Sequence, residues 1–102
     1  MPRYDIFVNP NKTATHPYYV DVQSNLVRLG TRWCIPLLRR RPVMLALPGV
    51  QALIEFHEQQ YLMDTGNLLA VPARLLQQST GRLSSDQQFQ ANSCIEFMLR
   101  GY

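Results

Sequence analysis

The first four-fifths of the chain alternates apolar and polar positions in short runs, which predicts strands. Residues 3–9, RYDIFVN, place Tyr4, Ile6 and Val8 on one face and Asp5 and Phe7 on the other. Residues 18–24, YYVDVQS, do the same, with Tyr18, Val20 and Val22 opposed to Tyr19, Asp21 and Gln23. The two runs pair naturally as a hairpin around residues 10–17, a polar loop bracketed by prolines. Residues 25–31 form a short connection carrying Leu26 and Val27. Residues 32–38, RWCIPLL, predict the next strand. Pro36 cannot donate to a ladder, so this strand is expected at an edge or bent at that point. Residues 39–50 hold two prolines and a glycine around four apolar residues, an irregular excursion with one packed turn. QALIEFH and QYLMDT predict a second hairpin joined near Glu58-Gln59. Residues 68–77 predict a strand interrupted at Pro72, and residues 79–83, STGRL, a turn.

The period then changes. Ser84-Ser85-Asp86-Gln87-Gln88 offers two overlapping capping boxes, Ser84 with Gln87 or Ser85 with Gln88. Ala91, Ile95 and Met98 recur at helical spacing with Cys94 and Phe97 beside them, and Gly101 stands where a helix would end. The expected fold is mainly β with one C-terminal helix: six or seven short strands followed by the helix, within a single domain over residues 1–102. The helix carries a second message. Ile95 and Met98 read as core, but Leu99 is rotated about 100° from Met98 and Tyr102 follows the terminating glycine. Either Leu99 and Tyr102 are both core and anchor the chain to its last residue, or they form an exposed apolar tip, which marks an interaction site.

At 102 residues and 46% hydrophobic content the chain is globular and can bury one core. Its net charge of +3 permits an acidic partner without requiring nucleic acid. The dense basic cluster is Arg39-Arg40-Arg41, either a solvated loop or a contact for an anionic partner. Cys34 and Cys94 are spaced neither as a metal clip nor as a redox pair. They read as buried free thiols suited to a reducing cytoplasm. MPRYDIFVNP lacks the apolar centre of a signal peptide, and no apolar run is long enough to span a membrane.

Catalytic patterns are missing from the sequence. His16 lies in the polar loop and His57 beside Glu58 at a hairpin tip, both ordinary surface placements. Seven carboxylates are scattered without metal-ligand spacing, so no metal and no cofactor is expected. There is no glycine-rich phosphate loop and no nucleophile elbow. For Asp21 the default is a cross-strand partner or a turn hydrogen bond. The residues favour a binding protein over an enzyme.

One block carries more. Tyr18 with Val20 to Ser24, followed by Arg32, Ile35, Pro36 and Leu37, resembles the CcdB family of plasmid-addiction toxins. Tyr61 and Met63 in the hairpin, then Ala70-Val71-Pro72, then a helix ending in glycine and one bulky residue, continue the likeness in order over nearly the whole chain. The resemblance implies a fold related to SH3 barrels, a homodimer, and a toxin that does no chemistry itself. Such toxins bind the DNA gyrase A subunit and trap its cleaved DNA complex, so DNA is engaged only through a partner. Carried over, the gyrase contacts are Leu99, Arg100, Gly101 and Tyr102, with Leu26 and Val27 beside them. A CcdA-like antitoxin with a disordered acidic segment would contact Asn9, Asn11, Lys12, Arg39, Arg40 and Arg41, and the charges are complementary. The chain departs from the family's type sequences in carrying Arg100 before the terminal glycine, where they have Trp or another uncharged residue, and in ending on Tyr102 rather than Ile.

Two other readings fit parts of the sequence. One is a non-toxic chromosomal relic with the same fold, for which Arg100 speaks. The other is an endoribonuclease toxin similar to the MazF and Kid group, which would draw on His16, Asp21, Arg28 and Arg32.

Overall fold

The computed structural model describes residues 3–11, 15–40 and 46–101. Lys12, Arg41 and Tyr102, with parts of the 10–17 loop and of the 39–50 excursion, lie outside the described residues. Seven strands form one curled antiparallel sheet: β1 (Asp5–Val8), β2 (Tyr18–Asp21), β3 (Thr31–Arg39), β4 (Gln51–Phe56), β5 (Gln59–Asp64), β6 (Leu69–Pro72) and β7 (Ser79–Arg82). A helix, α1 (Ser85–Arg100), follows. The order across the sheet is β4-β5-β3-β2-β1-β7, with β6 pairing to β3.

The first hairpin forms as the alternation predicts, with Ile6 opposite Val20 and Phe7 opposite Tyr19. β3 is not an edge strand, which corrects one of the two expectations for Pro36. On one side it pairs with β2, Pro36 standing opposite Tyr19. On the other side it pairs with β6 over residues 31–34 and with β5 over residues 37–39. Val22 N donates to Trp33 O at 3.0 Å, so the ladder alternation makes Tyr19 and Pro36 a non-hydrogen-bonded pair. The proline nitrogen therefore faces the other side, where β3 changes neighbours and no ladder bond is required. Pro36 marks the switch point of a central strand.

The STGRL segment is also corrected. Ser79–Arg82 is strand β7, with Asp5 opposite Arg82 and Ile6 opposite Gly81. Gly81 is there for close packing: a Cβ at that position would stand 2.6 Å from Cε1 of Phe56. Phe56 in turn packs edge-on against Tyr18, and His57 Nε2 lies 3.2 Å from Thr80 Oγ1. These side-chain contacts draw the tip of the β4–β5 hairpin over β7, so the sheet curls into a half-barrel. After Pro72 the chain makes a 3-10 turn at Ala73–Leu75 in place of the expected continuation of the strand.

The hairpin between β4 and β5 turns on His57 and Glu58, both at positive φ (51° and 64°). That geometry is a two-residue type I′ turn, which favours Asn-Gly. Glu58→Gly is expected to raise stability by about 0.5–1 kcal/mol, read as a higher urea midpoint, because glycine adopts this φ without steric cost.

The core lies inside the curl: Ile6, Val20, Ile35, Leu37, Ile54, Met63, Leu83 and Ala91 are buried together. Ile35 and Leu37 face it from β3, while Cys34 points the other way into a smaller cluster with Tyr19 and Val71. α1 packs against β4 and the turn at 65–67 through Ala91 and Cys94. Its start uses the first of the two capping boxes. Ser84 accepts from Gln87 N at 3.2 Å, and Gln87 Oε1 accepts from Ser84 N at 2.9 Å. Ser84→Ala is expected to cost about 1 kcal/mol, measured by thermal or urea unfolding.

Candidate functional site

The YVDVQS block builds a platform for the loop that follows it. Val20 and Val22 point into the core, and Asp21 meets Arg32 of β3 in a buried ion pair with no exposure on the carboxylate. Arg32 Nε donates to Asp21 Oδ2 at 2.7 Å and Nη2 to Oδ1 at 3.0 Å, a bidentate geometry. Asp21 Oδ1 also accepts from Gln23 N, so both default partners foreseen for this carboxylate are present. Arg32 Nη2 reaches on to Gln23 O and Asn25 Oδ1. Gln23, itself buried, donates from Nε2 to Val27 O at 2.9 Å and accepts from Trp33 N at 3.0 Å. Ser24 closes the turn, its carbonyl accepting from Val27 N and its hydroxyl from Leu26 N. Together these polar groups hold the loop at residues 24–29 in place.

The loop held this way presents apolar side chains to solvent. Leu26 is 92% exposed and Val27 is also exposed, as are Leu29 and, on the adjoining strand, Trp33. The sequence singled out Leu26 and Val27 and missed the other two. A lone leucine in a loop carries no signal, and a tryptophan within a strand reads as core.

The end of α1 forms a second apolar tip. Leu99 is 72% exposed and Arg100 is exposed. Gly101 caps the helix in the left-handed region (φ 81°), its N–H donating to Phe97 O at 2.7 Å. Nothing lies within 4 Å of where a Gly101 Cβ would sit, so its surface is open. The helix and the loop are linked by a relay: Asn92 of α1 bonds the Tyr4 hydroxyl at 3.0 Å, and Arg3 N donates to Asn25 Oδ1. The flank of α1 beside Gly49 and Ala52 also exposes Phe89 and Phe97, which the helical spacing had placed beside the core positions or left unassigned.

Of the residues carried over as antitoxin contacts, Asn9, Asn11, Arg39 and Arg40 are among the described ones. Asn9 and Arg39 line one hollow with Val8, Pro17 and Tyr18. Asn9 is buried and its amide is engaged inside the loop, Nδ2 donating to His16 O at 2.9 Å and Oδ1 accepting from Asn11 N at 3.0 Å. It shapes that face, while Arg39 and Arg40 stand exposed at the end of β3 and Arg40 Nη1 bonds Gln60 Oε1.

Of the four residues named for a nuclease, Asp21 and Arg32 are committed to each other and closed off from solvent. His16 Nε2 lies 3.2 Å from the Tyr19 hydroxyl. Cys34 and Cys94 are free and buried. Burial, reinforced by the nearby Asp21, pushes the Cys34 thiol up to about 12, so it stays protonated. Burial raises Cys94 as well. Among the described residues no helix is long and apolar enough to cross a membrane.

No curated protein matches the chain at a significant level. A family model described as CcdB protein matches residues 3–101, nearly the whole length, and its strand-rich, single-helix fold is the one found here. The chain therefore belongs to the CcdB family, the toxins of toxin–antitoxin modules.

Proposed function

We propose that this chain is a gyrase poison: as a homodimer it binds the DNA gyrase A subunit, holds the cleaved gyrase–DNA complex, and is neutralised by a CcdA-like antitoxin. The observation that carries the reading is the pairing of two exposed apolar tips, Leu99 before the left-handed Gly101 and Leu26 with Val27, on a fold that fills its core with other residues. Exposed leucines of this kind lower their free energy by about 1.5–3 kcal/mol each when a partner covers them. Leu26, Val27, Leu99, Arg100, Gly101 and Tyr102 are the proposed gyrase contacts. Arg100 suits an interface through its planar, stacking head group. Asn9, Asn11, Lys12, Arg39, Arg40 and Arg41 are the proposed antitoxin contacts, and the cytoplasm is the proposed compartment. On this reading the protein acts by binding and performs no chemistry itself.

The test is expression from a tightly controlled promoter in a gyrase-sensitive host. Colony formation should collapse on induction, with DNA breakage, and should recover when the antitoxin is co-expressed. Undiminished growth with abundant folded protein would select the non-toxic relic. Loss of RNA before any DNA damage would select the nuclease.

A further inference from the structure

The hollow that holds Asn9 and Arg39 is one of a pair. Val8 and Asn9 also line a second, of about 450 Å³. Val8 and Pro10 form one wall, and Arg74, Leu75, Gln77 and Gln78 form the other. The 3-10 turn after β6 carries Arg74 and Leu75 there, and Val8 N donates to Gln78 O at 3.0 Å at the foot of the hollow.

The chemistry of the two hollows is matched. Each has an apolar surface and one guanidinium, Arg39 in the first and Arg74 in the second, and no carboxylate lines either. The ion pairs among the described residues are Arg32 with Asp21 and Arg82 with Asp5, so neither Arg39 nor Arg74 is neutralised by one. Gln77 and Gln78 are exposed and bring amide donors and acceptors. Nothing in the sequence marked Arg74, a single arginine in a run of leucines.

We infer that the two hollows are one continuous groove for an extended acidic peptide segment, and that Arg74 is its second cationic pole. Carboxylates of the segment pair with Arg39 and Arg74, an apolar side chain sits over Val8 and Leu75, and the glutamine amides meet the peptide backbone. Two guanidinia separated by apolar surface suit sparse carboxylates on a polypeptide. A nucleic-acid strand would call for a dense basic stripe instead. The inference rests on the antitoxin reading above and extends it beyond the residues named there.

The test is fluorescence anisotropy with a short labelled peptide of repeated Glu-Leu-Glu units and the full-length protein, at low and high salt. Binding should be present at low salt and weaken as salt rises. Arg74→Glu and Arg39→Glu should each weaken it about tenfold, Arg74→Gln by less, and the exposed Arg28→Glu should leave it unchanged. Circular dichroism checks that each variant is folded. If Arg39→Glu weakens binding and Arg74→Glu does not, the groove stops at Asn9: the inference falls and the antitoxin reading stands. If the peptide fails to bind the parent protein at low salt, both fall. If a labelled single-stranded oligonucleotide binds more tightly and displaces the peptide, the face takes phosphate and the inference falls.

Discussion

Asp21→Ala should lower the unfolding free energy by about 3–5 kcal/mol, the typical cost of breaking a buried ion pair. The carboxylate is fully enclosed and Arg32 nearly so, and the guanidinium has two short bonds to it. Removing the acid leaves a cation in the interior facing only Gln23 O and Asn25 Oδ1. For a domain whose whole stability is about 5–15 kcal/mol, that is a large share. Urea unfolding should show the midpoint fall by about 2 M. The double replacement Asp21→Leu with Arg32→Met should lose less than the single, because it leaves no uncompensated charge. The same pair anchors the loop that displays Leu26 and Val27, so the single variant should also loosen residues 24–29, seen as faster amide exchange there. A loss below about 1 kcal/mol would mean that water reaches the pair and that the block does not brace the loop.

Gly101→Glu should sharply weaken gyrase binding while leaving the fold intact. The glycine is in the left-handed region with open space around it, so a side chain causes local strain of about 1–2 kcal/mol at the helix end and no clash with the core. At an interface the same side chain would push a carboxylate between Leu99 and the partner. An unpaired charge there, added to the lost close approach of the backbone, should weaken binding to the gyrase A subunit at least a hundredfold, equal to about 2.7 kcal/mol. Leu99→Ala should weaken it about tenfold or more through lost apolar burial. Calorimetric titration of that purified gyrase subunit with each variant reads both effects. Parent-like affinity in Gly101→Glu would move the contact surface away from the helix end.

The legible parts of the sequence were those where one local rule decides. Ile6, Val20 and Ile35 followed strict alternation, and Ser84 with Gln87 spelled out the helix start. The misread parts depend on neighbours distant in the chain. Ser79–Arg82 has a turn-like composition, but its glycine answers to Phe56 stacked over it from another strand. Pro36 breaks ladders in isolation, yet in place it occupies the gap between β6 and β5 where no bond is owed. The apolar tips were half visible. Leu99 stood out because helical spacing assigns it a direction, whereas Leu29 and Trp33 became surface residues only through the Gln23 bracket. Arg74 gave no signal at all, since its place beside Asn9 is made by the 3-10 turn after β6.

An apolar surface at Leu99–Gly101 and Leu26–Val27 is proposed to trap gyrase on broken DNA. The most direct measurement is a cleavage assay with purified gyrase, relaxed plasmid, ATP and this protein, followed by protein digestion and electrophoresis. Linear DNA should appear with the parent chain and not with Gly101→Glu or with a chain truncated before Leu99. Absence of linear DNA at saturating, folded parent protein, with the host's own gyrase as well as a heterologous one, would contradict the proposal.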